Sequence, residues 1–454
     1  MNFKNLRKKY PRFVYENYSY GISGKDLKIS FDFAVAPDIK FNPKIIVENA
    51  GKNLPKTALS KLNNLIFHLG LVEMISYWKA TCSPIIEIKA GSLNKEQINF
   101  WQDLILNGMG QFFFENKISF QKPKIITSGP GLLRPGLNTM GKGILVPVGG
   151  GKDSVVTLEI LKKTQKNILC FSLNPSDSAR KIMKIAGCKN PVIVRRKIDE
   201  TLLELNRKGF LNGHTPFSAY LAFLSVLAAA ISGKKYVALS NERSSNEGNV
   251  KYLGKMINHQ WSKTFEFENN FRKYSKKYLV KNIEYFSFLR PLYEIQIAKI
   301  FSKYAKYFSA FLSCNEAYKT ASGTKKPTKR WCGKCSKCLF VFAILYPFVK
   351  EKELLKIFGK NLFEDKPLLP IMQELIGERG FKPFECVGTK KESLLGFYLS
   401  LRKSRKLPIL LKYFKKKILL KYPNLEKESK LIMNSWNKQN NLSKEFIKIL
   451  SKIS

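Results

Sequence analysis

Residues 146–154 read VPVGGGKDS. An apolar run, ILVPV, leads into three contiguous glycines, and Lys152, Asp153 and Ser154 close the stretch. The run predicts a strand, and the residues after the glycines predict a helix over 153–163. Glycines at such a junction let backbone N–H groups approach phosphate oxygens without a Cβ in the way. The helix N-terminus that follows adds free N–H groups and a positive end. Lys152 supplies a cation and Ser154 a hydroxyl. Asp153 would repel a phosphate unless a divalent cation such as Mg²⁺ bridges the two. The spacing G-x-x-x-x-G-K-[ST] is absent, because the glycines are contiguous and Asp follows Lys, so this is not an ordinary γ-phosphate loop. A tight turn that binds nothing is the plain alternative.

Beyond the loop the pattern is regular. Short runs rich in β-branched residues, namely ILVPV, NILCFSL, PVIVRR, KYVALSN and SAFLSCN, alternate with helical segments over 153–163, 179–186, 216–231 and 292–306. Strands alternating with helices predict an α/β fold: a parallel, doubly wound sheet covered by helices on both faces. Ligands of such sheets sit at the carboxyl ends of the strands. Those ends carry Gly149, Gly150 and Gly151, then Asn174, then Asn241 and Glu242, then Ser313, Cys314 and Asn315.

The chain has 454 residues, room for two or three domains. Residues 1–139 read as an α+β N-terminal domain with a role in substrate recognition. LKISFDFAV and SPIIEIKAG are strands; TALSKLNNLIFHLGLVEMISYWKA is a helix capped by Thr57, and Asn94 starts another. The Gly- and Pro-rich stretch TSGPGLLRPGLNTMGKG marks a boundary before the second domain, 140–345. Residues 346–454 form a basic, helical C-terminal region. Its amphipathic segments present either a solvated outer face on packed helices or a contact for a polyanion or membrane surface.

The formal net charge is +45. It points to a polyanionic partner such as RNA, to a small substrate rich in phosphate and carboxylate, or to compositional drift alone. The basic start MNFKNLRKKYPRF is not followed by an apolar segment, so a secretory signal is not expected and a cytoplasmic chain is. PFSAYLAFLSVLAAAISG approaches the length of a membrane span. It carries Ser218, Tyr220 and Ser225 and ends in Gly233, which predicts a buried helix and no membrane span. Of eight cysteines, Cys332, Cys335 and Cys338 cluster. They predict a reduced chain with one metal site, not a disulfide framework.

The loop resembles the SGGxDS loop of the PP-loop ATP pyrophosphatases, whose sheet is of the adenine nucleotide α-hydrolase-like type, with Gly149 where that family has Ser. ALSNERSSNEGN, NHQWSKTFEFE, SFLRPLYEIQIAKIF and WCGKCSKCLFVF sharpen the likeness. Together they resemble the UDP-N-acetyl-α-D-muramoyl-L-alanyl-L-glutamate epimerase family, well over 142–363 and more loosely through FVYENYSY, SYWKATCSP and INFWQDLILNGMGQFFFEN. The resemblance implies an ATP- and Mg²⁺-dependent isomerase of peptidoglycan precursor synthesis. Its substrate is a nucleotide-linked muramoyl dipeptide whose terminal L-glutamate becomes D-glutamate, with AMP and pyrophosphate released. A free carboxylate makes the adjacent Cα–H a very poor acid, and an acyl-adenylate removes that charge. This accounts for ATP in a reaction without net bond change.

Under that resemblance Gly149, Gly150, Gly151, Lys152, Asp153, Ser154 and Asn174 hold ATP, and Asp153 takes Mg²⁺. Lys152 and Asp153 serve the adenylation. His259 is the candidate Cα acid or base and could serve either role, with Glu242, Glu247, Glu266 and Glu268 as alternatives. Asn241, Ser245, Asn246, Asn249 and Arg290 bind substrate groups. Cys332, Cys335 and Cys338, with Cys314 as a fourth thiolate, are expected to hold a structural Zn²⁺, as in PP-loop enzymes that make deazaguanine bases; reduced structural cysteines are the other reading. The alternative function is a PP-loop enzyme that modifies an RNA base or its precursor. Nucleic acid is not expected as a partner, although the charge leaves room for it.

Overall fold

A computed structural model describes residues 2–52, 59–120, 122–131, 141–164, 166–318 and 328–453. The expected cap Thr57, much of the Gly- and Pro-rich stretch and the boundary at 139/140 lie outside the described residues.

The strands are β1 (Arg12–Ser23), β2 (Asp26–Val35), β3 (Ile39–Phe41), β4 (Lys44–Val47), β5 (Ile85–Ile88), β6 (Lys124–Thr127), β7 (Ile144–Pro147), β8 (Ile168–Leu173), β9 (Val192–Lys197), β10 (Tyr236–Leu239), β11 (Val250–Tyr252), β12 (Lys255–Ile257) and β13 (Glu284–Ser287). β11 and β12 form a small hairpin. The others make one eleven-stranded sheet in the order β13-β10-β7-β8-β9-β4-β2-β1-β5-β6, with β3 beside β2. The β13-β10-β7-β8-β9 block is parallel throughout. At β9 the sheet changes character. β4 pairs with it antiparallel, Val47 opposite Val194, and carries the sheet on into the N-terminal strands. A single mixed α/β sheet, mostly parallel, thus runs through both the first 139 residues and the segment that follows.

Side-chain alternation divides the interior in two. Leu145, Phe171, Val194, Val237 and Tyr285 belong to one core, with the helices Asn63–Trp78 and Phe217–Ile231. Their strand neighbours Ile144, Val146, Cys170, Ile193, Ala238 and Phe286 belong to the other, with the helices Lys152–Leu161, Glu294–Phe301 and Ser336–Leu345. A period of two sends successive side chains to opposite faces, so both faces of the parallel block are covered. The helix Phe217–Ile231 is buried as expected for an element apolar all round. Among the described residues no helix is long and apolar enough to cross a membrane. Asn94 starts the helix Lys95–Gly108 through a capping box with Gln97. In the C-terminal region Leu410, Leu411, Phe414, Ile418, Phe446 and Leu450 pack into the second core, while Lys412, Lys415, Lys416 and Lys417 face outward.

Two expectations change. SAFLSCN is not a strand. The fifth parallel strand is β13, which pairs with β10 from Tyr236–Glu284 to Leu239–Ser287. The Ser309 to Asn315 segment instead crosses the end of the glycine loop, where Leu312 N donates to Gly150 O at 2.8 Å. Its apolar residues satisfy the second core without a ladder partner. The chain is also not wholly reduced: Cys170 and Cys188 are joined in a disulfide, their Cα atoms 6.1 Å apart, because β8 and the turn after the helix Asp177–Ile185 bring them together.

One buried ion pair locks the first core to the end of β9. Arg196 Nε donates to both oxygens of Glu73, at 3.0 and 2.8 Å, and Arg196 Nη2 donates to Ser76 Oγ at 2.9 Å. The guanidinium lies over the Tyr220 ring at 4.6 Å. Glu73→Ala leaves that cation buried without its carboxylate. The expected loss is about 3–5 kcal/mol of unfolding free energy, read from the denaturant midpoint of the variant against the parent.

Candidate active site

From the seam outward the parallel strands run β9, β8, β7, β10, β13. Chain order therefore reverses between β7 and β10. Connections leave such a point in opposite directions and open a crevice at the carboxyl ends. The glycine turn lies there, directly after β7. Gly151 is the N-cap of the helix Lys152–Leu161. Gly150 has φ +101°, and a Cβ on it would stand 2.6 Å from Tyr318 Oη and 2.9 Å from Ser178 Oγ. Glycine is thus required at this position by both conformation and space. The loop carbonyls are tied down: Tyr318 Oη donates to Gly149 O at 2.8 Å and Ser178 Oγ to Gly150 O at 2.8 Å. A Cβ at Gly149 would meet nothing within 4 Å, so the outer side of the turn is open.

Lys152 turns inward. Its side chain is 1% exposed and its ammonium donates to Asp153 Oδ1 at 2.5 Å and to Glu294. Glu294 opens the helix that follows β13, and its second oxygen lies 3.7 Å from Lys337 Nζ. Burial alone would discharge Lys152, but Asp153 and Glu294 outweigh it and hold the cation. Burial alone would likewise protonate Glu294; Lys152 and Lys337 reverse that and lower its pKa to about 2. Asp153 keeps 26% of its side chain exposed, and desolvation with the neighbouring Glu294 raises its pKa. Glu242, at the end of β10, is pushed up to about 7 by burial and then by Glu294. Ser154 Oγ donates back to Gly151 O at 2.9 Å. Three carboxylates and the ammoniums of Lys152, Lys337 and Lys263 thus meet at the ends of β7, β10 and β13. Glu294, Lys263 and Lys337 escape a reading by motif. Only the position of Glu294 after the last parallel strand hints at it.

The other expected binding residues largely brace this frame. Asn174, at φ +42°, exchanges two 3.0 Å hydrogen bonds with the Arg196 backbone, joining the ends of β8 and β9. Asn241 Nδ2 donates to Ser287 Oγ at 3.2 Å, joining β10 to β13. Arg290 is 0% exposed. It donates to Glu242 O, Ser245 Oγ, Lys263 O, Ser287 Oγ and Glu268. Ser245 Oγ donates to Glu242 O at 2.8 Å, and Asn246 Oδ1 accepts from Phe265 N at 2.9 Å. Asn249 Nδ2 donates to Lys382 O and Pro383 O. Glu268 is bound by Arg290 and Asn441, and Glu247 by Lys382. The structure does not bring Glu266 to the carboxylate group at the strand ends; it lies in the first turn of the helix Phe265–Tyr274. His259 sits beside a free thiol, Cys386, with Nε2 3.8 Å from Sγ. Burial, then Lys263, Lys382 and Lys337, lowers its pKa to about 3, so the ring is neutral.

Cys314 joins the three clustered cysteines. All four sulfurs lie within 4.8 Å of one another, the one such group of possible ligands among the described residues. Sulfur separations are 4.0 Å for Cys314–Cys335, 3.7 Å for Cys332–Cys338 and 3.5 Å for Cys335–Cys338. A tetrahedron with metal–sulfur bonds of about 2.3 Å has edges of about 3.8 Å, so the cage fits Zn²⁺. The fourth ligand comes from the segment that crosses the glycine loop.

The family profile of the MurL N-terminal domain matches residues 4–288, and that of the MurL C-terminal domain matches residues 310–419. The chain belongs to the MurL family. Curated members named UDP-N-acetyl-alpha-D-muramoyl-L-alanyl-L-glutamate epimerase are similar along most of its length. The one from Salinispora tropica is 33% identical over 397 residues, 85% of this chain and 84% of that protein. The one from Xanthomonas oryzae pv. oryzae is 36% identical over 333 residues, 72% of each chain. A third, from a Micromonospora species, is 32% identical over 397 residues. No solved structure matches. Homologues so named make this MurL-family chain an enzyme of the epimerase kind.

Zinc in the cysteine cage is expected as about one metal ion per chain by elemental analysis. Cys335→Ser should lower that content and the melting temperature together. A metal-free protein that melts where the purified one does would remove zinc from the fold.

Proposed function

We propose that the chain inverts the terminal L-glutamyl residue of UDP-N-acetylmuramoyl-L-alanyl-L-glutamate in a reaction that consumes ATP. The glutamyl carboxylate attacks the α-phosphorus of ATP, pyrophosphate leaves, and the acyl-adenylate carries the Cα–H through deprotonation and reprotonation on the other face. Water then releases AMP and the D-glutamyl product. The observation that carries this reading is the open glycine turn with Asp153 at the point where strand order reverses. It is supported by the epimerase names of the relatives and by the likeness of the loop to PP-loop ATP pyrophosphatases.

The residues fit the adenylation. The turn offers bare backbone beside a helix N-terminus, which suits phosphate oxygens. Asp153 is the partly exposed carboxylate at that point and would hold Mg²⁺. The ion would supply charge neutralisation to the phosphate oxygens. Lys152, fixed between Asp153 and Glu294, keeps both carboxylates in place and limits their repulsion of the triphosphate. Glu242, with its pKa near 7, can hold or give up a proton at working pH, which suits a group that returns a proton to Cα. A nucleotide-linked substrate and ATP as co-substrate fit a cytoplasmic reaction.

The charge of +45 and the cysteine cage favour a second reading, a PP-loop enzyme acting on an RNA base or its precursor. Incubation with the muramoyl dipeptide nucleotide, ATP and Mg²⁺ separates the two. Chiral analysis is expected to find D-glutamate, with AMP formed in step. AMP formation that requires tRNA instead would establish the second reading.

Asp153→Ala is expected to fold and to lose AMP formation by roughly 10²-fold or more, the scale for removing one charge-stabilising contact from a transition state. Near-parental AMP release by the folded variant would refute its role.

A further inference from the structure

Cys386 stands in the connection between the helices Leu369–Ile376 and Lys390–Lys403. It is a free thiol, partly buried. Lys263 Nζ lies 3.1 Å from its sulfur, and His259 Nε2 lies 3.8 Å from it on the imidazole side. The tautomer of His259 follows from its other partner. Gln111 Nε2 donates to Glu115 Oε1 at 2.7 Å, which turns Gln111 Oε1 toward His259 Nδ1 at 2.5 Å. An amide oxygen only accepts, so Nδ1 carries the proton and Nε2 presents a lone pair to the thiol. The sulfur therefore has a partner in each state. As a thiol its S–H points at Nε2; as a thiolate it accepts from the Lys263 ammonium.

The cluster is built from separate parts of the chain and joined to the glycine loop. Asn249 Oδ1 accepts from His259 N at 2.8 Å, while Asn249 Nδ2 holds the carbonyls of Lys382 and Pro383, just before Cys386. Gln260 Nε2 donates to Val387 O at 3.3 Å on its other side. Lys337 Nζ donates to Cys386 O and faces Glu294, which pairs with Lys152. Charged groups thus run from the loop to the backbone carbonyl of Cys386, whose sulfur meets a further ammonium, that of Lys263. A reactive group oriented by a base, itself oriented by a third group, is the arrangement that activates side chains for proton or acyl chemistry.

We propose that Cys386, paired with His259, is the group that exchanges a proton with the glutamyl Cα. This rests on the inversion put forward above. The Cys386 thiolate takes the Cα proton: the S–H bond forms as the C–H bond breaks, and the electron pair moves onto the acyl oxygen of the adenylated carboxyl. A protonated group on the opposite face, the role put forward above for Glu242, supplies the proton that re-forms C–H with inverted configuration. After turnover the thiol gives up the proton it took and the opposite group regains the one it lost, both by exchange with solvent, while His259, neutral and held by Gln111, orients the sulfur. Nothing is oxidised or reduced.

The test runs parent, Cys386→Ser and Cys386→Ala with the muramoyl dipeptide nucleotide, ATP and Mg²⁺ in D₂O. AMP, D-glutamate and deuterium at Cα are measured together. The parent is expected to form all three. Both variants are expected to release AMP while inversion and deuterium incorporation fall by about 10²-fold or more, the usual contribution of a positioned acid or base. Iodoacetamide with peptide mapping on the parent gives a measurement free of any folding defect. Alkylation of Cys386 should be slowed by the substrate and ATP. A variant that inverts at the parental rate, one that loses AMP formation along with inversion, or alkylation indifferent to substrate would each overturn this assignment alone. A parent that does not invert the substrate overturns the epimerase reading and this inference with it.

Discussion

The ammonium of Lys152, buried between Asp153 and Glu294, is the contact on which the candidate site depends. A charge taken out of water must be paired, and removing one partner leaves the other stranded at a cost of several kcal/mol. The pairing therefore fixes two elements at once. The helix after β7 must bring Lys152 inward, and the helix after β13 must bring Glu294 to meet it, across the end of the intervening β10. Lys337, from the region beyond the sheet, completes the array at the second oxygen of Glu294. Strand order, loop shape and the docking of the helix Ser336–Leu345 are bound to one electrostatic arrangement.

The sheet supplies the rigid support. Its two faces are closed by separate cores, so the strand ends that carry the loop, Glu242 and Arg290 cannot shift without disturbing both. The cysteine cage adds a further tie. Cys314 sits at the end of the segment whose Leu312 N holds Gly150 O, and its sulfur meets those of Cys332, of Cys335 at the N-cap of the helix Ser336–Leu345, and of Cys338 in its first turn. Metal in that cage would hold the segment over the loop, giving a structural ion a direct influence on the shape of the glycine turn.

Polar residues after β10 divide into frame and chemistry according to whether protein groups consume them. Arg290 spends its Nη donors on backbone and side-chain oxygens inside the protein, and Asn249 spends both ends of its amide. Asn249 sets the distance between the His259 segment and the Cys386 connection, and Arg290 ties the Glu242 and Lys263 backbones together. Glu242 is different in kind. It is buried next to another carboxylate, which raises its pKa toward neutrality, and such perturbation marks groups suited to proton transfer.

Residue order alone determined the local elements. The run ILVPV followed by three glycines specifies strand, turn and helix start, because period-two burial and a positive φ are properties of neighbouring residues. The mostly apolar stretch over 217–231 specifies a buried helix for the same reason, and Asn94 with Gln97 specifies a helix start. Tertiary structure decided what those elements meet. SAFLSCN has the composition of a strand, yet β13 takes the place beside β10, since an edge accepts whichever segment the connections deliver. Lys152 reads as a phosphate cation but is claimed by Glu294, 142 residues away. Cys386 and His259, 127 residues apart, carry no joint signal in the sequence. Pairing between distant side chains depends on how the packed helices bring them together, and no local preference encodes that distance.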